Sequence, residues 1–206
     1  MNYIDTLYII NYILIIFAFW TVCYMVIQLI FYKKHRVLLF GLSGNPPTGD
    51  SGHRGIIKHI CNSKLFDEIW ILPVYAHTFS SKKNLLPFET RMDLCRLNFK
   101  ELKNCKVLPI EQELFFHQVM LTGKENPVGT IELLKYLKAN NNSIEFTFCL
   151  GADTFNDLLE GKWNDNDEII NTTSLLVIDR VGYNTRLDIL AKKMVYSVRF
   201  LMAPNI

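Results

Sequence analysis

Two hydrophobic patterns divide the chain. From Thr6 to Tyr32 there is no charged residue, and Ile, Leu, Phe, Tyr and Val dominate. A helix rising 1.5 Å per residue needs about 20 such residues to cross a hydrocarbon layer of ~30 Å. The pattern therefore predicts one transmembrane helix over 6–32. Met1 to Asp5 lacks the basic start of a cleaved signal peptide, and the apolar run is longer than the core of one. Lys33, Lys34, His35 and Arg36 follow at once, and basic residues at a membrane end stay in the cytoplasm. The expectation is a single-pass membrane protein, with residues 1–35 as anchor and basic flank and residues 36–206 as a soluble domain facing the cytosol. Asn141-Asn142-Ser143 and Asn171-Thr172-Thr173 are glycosylation sequons, and their use in cells would reverse that orientation.

After Arg36 short apolar runs alternate with segments of helical spacing, which reads as βαβ units around a parallel sheet. Strands are predicted over 37–42, 68–74, 106–110, 144–150, 174–179 and 197–202. Helices are predicted over 53–62, 88–102, 128–139, 152–159 and 187–194. On the second of these, Met92, Leu94, Cys95 and Leu97 are the candidates for the buried face. Residues 75–87 read as a polar loop, and Asn140-Asn141-Asn142 as a turn. The fold class is α/β: a doubly wound, mostly parallel sheet of five to six strands, preceded by the transmembrane helix. In such a sheet ligands bind beyond the carboxyl ends of the strands, so chemistry is sought in the segments that follow them.

With 206 residues, half of them apolar, the chain has room for one domain with a true core. Its net charge of +2 supplies no basic field of the kind that nucleic acid requires, and a nucleic-acid partner is excluded on that ground. The five cysteines include no CxxC pair and leave one over. They fit neither a disulfide framework nor a zinc ribbon and read as reduced thiols; no metal-ligating cluster is predicted.

The first strand runs into Gly41-Leu42-Ser43-Gly44-Asn45-Pro46-Pro47-Thr48-Gly49-Asp50-Ser51-Gly52-His53. Glycines allow backbone amides to approach an anion, and the helix that follows points its N-terminus at it. It matches neither GxxxxGK[ST] nor GxGxxG. An ordinary glycine-rich βα turn is the competing reading.

Here the residues resemble the nucleotidylyltransferase superfamily, whose signature is a strand, then GxFxPxHxGH or GxFxPxTxGH, then a helix. Asn45-Pro46-Pro47-Thr48 and Gly52-His53 match its two halves. The resemblance implies a Rossmann-like fold. It also implies that Gly41, Ser43, Gly44, Asn45, Thr48 and Gly52 line an ATP phosphate site, with His53 donating to the transferring phosphate. Four residues separate Thr48 from His53 where the family has two, an insertion that a bulged turn absorbs. Gly44 stands where an aromatic residue is common. Further along, Leu150-Gly151-Ala152-Asp153-Thr154-Phe155 followed by Leu158-Leu159 and Lys162-Trp163 resembles the GAD...L..W block of nicotinate and nicotinamide mononucleotide adenylyltransferases. The resemblance implies that Gly151 and Asp153 meet a nucleotide ribose and that Trp163 lies near the pyridine ring. It places Lys82 or Lys83 on substrate phosphate, Arg91 in support of the site, Thr130 near the base and Arg180 on the phosphate side. Of these, His53, Lys83 and Arg91 are the catalytic candidates.

The resemblance runs from about Val37 to about Met202. The family continues with ISSTxxR, whereas this sequence ends at Ala203-Pro204-Asn205-Ile206. The implied activity is adenylyl transfer from ATP, carried with Mg²⁺, to nicotinate or nicotinamide mononucleotide, yielding an NAD-type dinucleotide and pyrophosphate. Two alternatives stay open: another nucleotidylyltransferase, such as a pantetheine-phosphate adenylyltransferase or a cytidylyltransferase, and a catalytically inactive, membrane-anchored nucleotide-binding protein. The expected partners are ATP, a pyridine mononucleotide and the membrane, with a homo-oligomer left open.

Overall fold

The computed structural model of the chain describes residues 3–31, 34–76, 84–179 and 196–202, and in the first of these segments the side chains of residues 8 and 11–26. It divides into two units, Met1–Lys34 and His35–Ile206. The first unit holds one long helix, α1 (Tyr3–Phe31). Its described side chains are mostly apolar and exposed, with Tyr12, Phe17 and Trp20 each about two-thirds accessible. Among the described residues, no helix is long and apolar enough to cross a membrane. On that ground the expectation of a transmembrane helix over 6–32 is not supported.

The second unit is a six-stranded sheet of order β3-β2-β1-β4-β5-β6. Its strands are β1 (His35–Leu42), β2 (Glu68–Pro73), β3 (Cys105–Val107), β4 (Ile144–Gly151), β5 (Ser174–Asp179) and β6 (Ser197–Met202). Every pairing is parallel. Successive strands step outward from β1 to β3 on one side, and the chain then returns to lay β4 on the other side of β1. The order therefore reverses between β1 and β4, where a doubly wound sheet opens a crevice.

Alternate side chains of a strand point to opposite faces, and both faces of this sheet are covered. Leu38, Phe40 and Leu42 of β1 join a cluster with Ile56, Ile57 and Ile60 of α2 (His53–Ser63) and Cys95 and Phe99 of α3 (Phe88–Phe99). Val37 and Leu39 join the other cluster. There they meet Ile110 and Leu114 of α4 (Ile110–Thr122), Ile131 and Leu134 of α5 (Thr130–Asn140), Phe155 and Leu158 of α6 (Ala152–Leu159), and Ile169 of α7 (Asn166–Thr172).

Four strands (β2, β4, β5 and β6) and the helices α2 and α6 match the predicted bounds within one residue at each end, and β1 starts two residues earlier than predicted. The third strand is shorter than predicted, because Pro109 closes it and Ile110 opens α4 instead. No helix was predicted at α4 or α7. The predicted helix over 187–194 lies outside the described residues. On α3 the buried positions are Arg91, Met92, Cys95 and Phe99, while Leu97 is 61% exposed. The helix turns its polar-looking Arg91 inward, for reasons that belong to the site.

Phe155 is fully buried under the sheet. Phe155→Ala removes that ring and leaves a cavity, so it is expected to cost about 3–5 kcal/mol. Urea denaturation followed by far-ultraviolet circular dichroism measures the loss.

Candidate functional site

Phe40 of β1 pairs with Cys149 of β4, so the loops leaving the two strands begin side by side at the point of strand reversal. The loop after β1 is shaped by two glycines. Gly44 has a φ of +65°, and a Cβ there would sit 2.9 Å from the Cys95 Sγ of α3. Glycine is thus needed for both backbone and space, which is why the aromatic residue common in the family has no room here. At Gly52 a Cβ would overlap Thr48 Oγ1.

That contact matters because Thr48 and His53 hold each other. The backbone N–H of His53 donates to Thr48 Oγ1 at 2.8 Å. The backbone N–H of Thr48 donates to His53 Nδ1 at 3.0 Å, and Thr48 Oγ1 lies 2.7 Å from the same nitrogen. An N–H can donate only to an unprotonated ring nitrogen, so the hydroxyl also donates to Nδ1 and the ring carries its proton on Nε2. The ring stands edge-on to Phe40. The two additional residues fold into a turn closed by Gly52 N–H to Gly49 O at 2.9 Å, and Asp50 is fixed by Arg54 at 3.0 Å. The insertion is absorbed without separating Thr48 from His53. His53 opens α2, so the imidazole lies at a helix N-terminus, where an anion is favoured.

Across the crevice Asp153 is exposed in the first turn of α6, directly after Gly151 ends β4. A Cβ on Gly151 would stand 2.6 Å from Asp153 Oδ1, so the glycine leaves space for the carboxylate over the strand end. Gly41 is exposed near the end of β1. Trp163 is half-buried against the core, and Thr130 opens α5, half-buried. Lys82, Lys83 and Arg180 lie outside the described residues.

Arg91 has the supporting part that the resemblance implies rather than a catalytic one, and Ser43 and Asn45 are tied to the same region. Arg91 is only 1% exposed. Its guanidinium donates to four backbone carbonyls: Ser43 at 2.7 Å, Val74 at 2.6 Å, Leu86 at 2.9 Å and Tyr75 at 3.1 Å. The ring of Phe88 lies 5.3 Å from its central carbon. With these donors engaged, Arg91 is a positioning residue that ties the loops after β1 and β2 to the approach to α3, and it is not a catalytic one. Ser43 enters through its carbonyl. Asn45 accepts from Leu86 N–H and donates to Asn84 O, at 2.9 and 3.1 Å, which staples the opening loop to the same approach.

Sequence reading missed Glu111. It is buried in the first turn of α4 and accepts the backbone N–H of Tyr75 at 3.0 Å. The Tyr75 ring packs on Phe88, Phe115 and Phe116 at 5.0, 4.9 and 5.6 Å. Acidic residues at helix starts are common enough that the sequence alone did not distinguish this one. Burial pushes the Glu111 carboxyl up to about 7, against the pull of the Tyr75 N–H and the Arg91 charge. Its folded value lies above that of the unfolded chain, so ionising it costs the folded state. The cost is absent below about pH 4, grows as pH rises towards 7 and is complete above it. Glu111→Gln keeps an oxygen for Tyr75 and removes the titration. The stability of the native chain minus that of the variant is therefore expected to fall by about 3 kcal/mol between pH 4 and pH 8; urea denaturation of both proteins across that range checks it.

No family model matches the chain. It is 30% identical over 148 residues to a probable nicotinate-nucleotide adenylyltransferase of Anaeromyxobacter dehalogenans, covering 72% of this chain and 72% of that protein. A second, from Myxococcus xanthus, is 30% identical over 149 residues, covering 72% and 70%. Among solved structures, the nicotinic acid mononucleotide adenylyltransferase of Plasmodium falciparum complexed with APC superposes with a TM-score of 0.66 at 18% identity, over 84% of this chain and 77% of that one. A putative nicotinate-nucleotide adenylyltransferase of Vibrio parahaemolyticus gives 0.52 at 22% identity, over 69% and 76%. These likenesses carry the fold, and the identity to the curated proteins carries the family: the chain belongs to the nicotinate-nucleotide adenylyltransferases.

Proposed function

We propose that this chain transfers the adenylyl group of ATP to a pyridine mononucleotide, nicotinate mononucleotide first, as the names of its relatives suggest. The observation that carries the reading is the locked Thr48–His53 pair at the N-terminus of α2, facing the strand reversal from one side while Gly151 and Asp153 occupy the other. The mononucleotide 5′-phosphate attacks the α-phosphorus of ATP in line, the bond to the β-phosphate oxygen breaks, and pyrophosphate leaves. No covalent intermediate is required. The protein contributes placement and donors to the developing charge: the Nε2–H of His53 and the α2 N-terminus, with Lys82 or Lys83 assigned to the substrate phosphate. Asp153 accepts ribose hydroxyls and Trp163 borders the pyridine. Mg²⁺ arrives with ATP as part of the substrate and neutralises phosphate charge.

His53→Ala is expected to lower kcat by about 10²–10³ while the thermal transition stays close to that of the native chain, since the ring is only half-buried. Pyrophosphate release from ATP with nicotinate mononucleotide, nicotinamide mononucleotide or phosphopantetheine, and from CTP, reads the effect and the substrate together. Near-native turnover by the variant removes His53 from the mechanism.

We also infer that α1 attaches the enzyme to a lipid surface. Its exposed aromatic and aliphatic side chains are followed by Lys33, Lys34, His35 and Arg36, a sequence of apolar then basic groups that suits acyl chains beside anionic headgroups. The full chain is expected to float with phosphatidylglycerol-containing vesicles on a density gradient, and a chain starting at His35 to stay at the bottom. Equal distribution of the two proteins refutes attachment through α1.

A further inference from the structure

Two of the five cysteines differ from the others. Cys95 and Cys149 are buried, whereas Cys23, Cys61 and Cys105 are partly buried. Cys61 lies on α2 and Cys105 begins β3, 44 positions apart, and their sulfurs approach to 3.6 Å. Leu65, Leu102 and Val107 are partly buried against the same cluster of the core.

The contact also sorts the two thiols. The two thiols are in hydrogen-bond contact, which holds the Cys61 thiol below its ordinary range and pushes Cys105 above it. Burial pushes Cys95 up to about 11 against the pull of the Arg91 charge. Thiolate is the reactive form of cysteine, so Cys61 is the better nucleophile and Cys105 is placed beside it as the resolving partner. A disulfide needs sulfurs about 2.0 Å apart, a closure of roughly 1.5 Å from the present contact.

We propose that Cys61 and Cys105 form a closable dithiol, a modification site at which a low-molecular-weight disulfide oxidises the pair to an intramolecular bond joining α2 to β3. The Cys61 thiolate attacks one sulfur of the oxidant, forming a mixed disulfide and expelling the first thiolate. Cys105 then loses its proton and attacks the Cys61 sulfur, expelling the second. Two protein thiols give up two electrons and two protons, and one external disulfide becomes two thiols.

The test uses the full chain with oxidised glutathione as the probe. Denatured thiol titration is expected to fall from five to three, and peptide mapping to join Cys61 to Cys105. The product should migrate as a monomer without reductant, with a melting temperature raised by about 5 °C through constraint of the unfolded chain. Dithiothreitol should restore five thiols. Cys105→Ser should stop at one glutathione on Cys61, Cys61→Ser should form no internal link, and Cys23→Ser should form the link normally. The proposal is overturned if the native chain keeps five thiols, accumulates only mixed disulfide, or links another pair or two chains.

Discussion

The guanidinium of Arg91 lies inside the protein and donates to the carbonyls of Ser43, Val74, Tyr75 and Leu86. These acceptors belong to three stretches of chain that meet only in the folded state: the exit of β1, the exit of β2 and the approach to α3. A planar group with five N–H donors fixes their separations and orientations together. The cost is a cation withdrawn from water, visible in burial lowering the Arg91 pKa. Glu111 offsets it as the nearby acid and holds Tyr75 from the other side through that residue's N–H. The loop after β1 thus begins from a carbonyl anchored in the interior, although the loop itself is largely exposed.

The shape of that loop follows from the anchor. With Ser43 fixed, Gly44 must turn with a positive φ and slide past Cys95 without a side chain, and Asn45 is tied to residues 84 and 86. The chain then reaches Thr48, whose hydroxyl accepts the first N–H of α2 and whose N–H fixes the imidazole. A buried cluster on one side and a helix start on the other define the ends of the loop. Two additional residues between them alter its middle, a turn closed on itself and braced by Arg54, and leave the ends alone.

Much of this was legible in the sequence where the determinants are local. Strands β2, β4, β5 and β6 are short, mostly apolar runs, and their limits were read within a residue. The opening loop and the Gly151 to Asp153 turn carry their chemistry within a dozen positions. Helix α4 was not legible, because Leu114, Phe115, Phe116, Val119, Met120 and Leu121 surround it with apolar groups and leave no single stripe to reveal a helical period. Arg91 was misread for a complementary reason. A basic residue on a helix beside a candidate phosphate site looks like a ligand, and its true acceptors are backbone carbonyls, which every residue has and which spacing cannot point to. Leu97 was assigned to the core on the same helix; the inward turn of Arg91 rotates it into solvent.

Adenylyl transfer without a covalent intermediate asks a protein for fixed donors rather than reactive groups, and this site is built in that sense. The Thr48 and His53 contacts are reciprocal, so moving either group breaks a bond made by the other, and the tautomer is set by the backbone rather than by a titrating neighbour. The cysteine nearest the loop, Cys95, is buried with its thiol pushed up to about 11 and serves as packing behind Gly44. Asp153 approaches from a different strand end, so its position relative to His53 is governed by the β1–β4 register. A nucleotide laid across the reversal would bridge two groups whose spacing belongs to the sheet, while the segments that differ from the family's pattern sit where they need only close a turn.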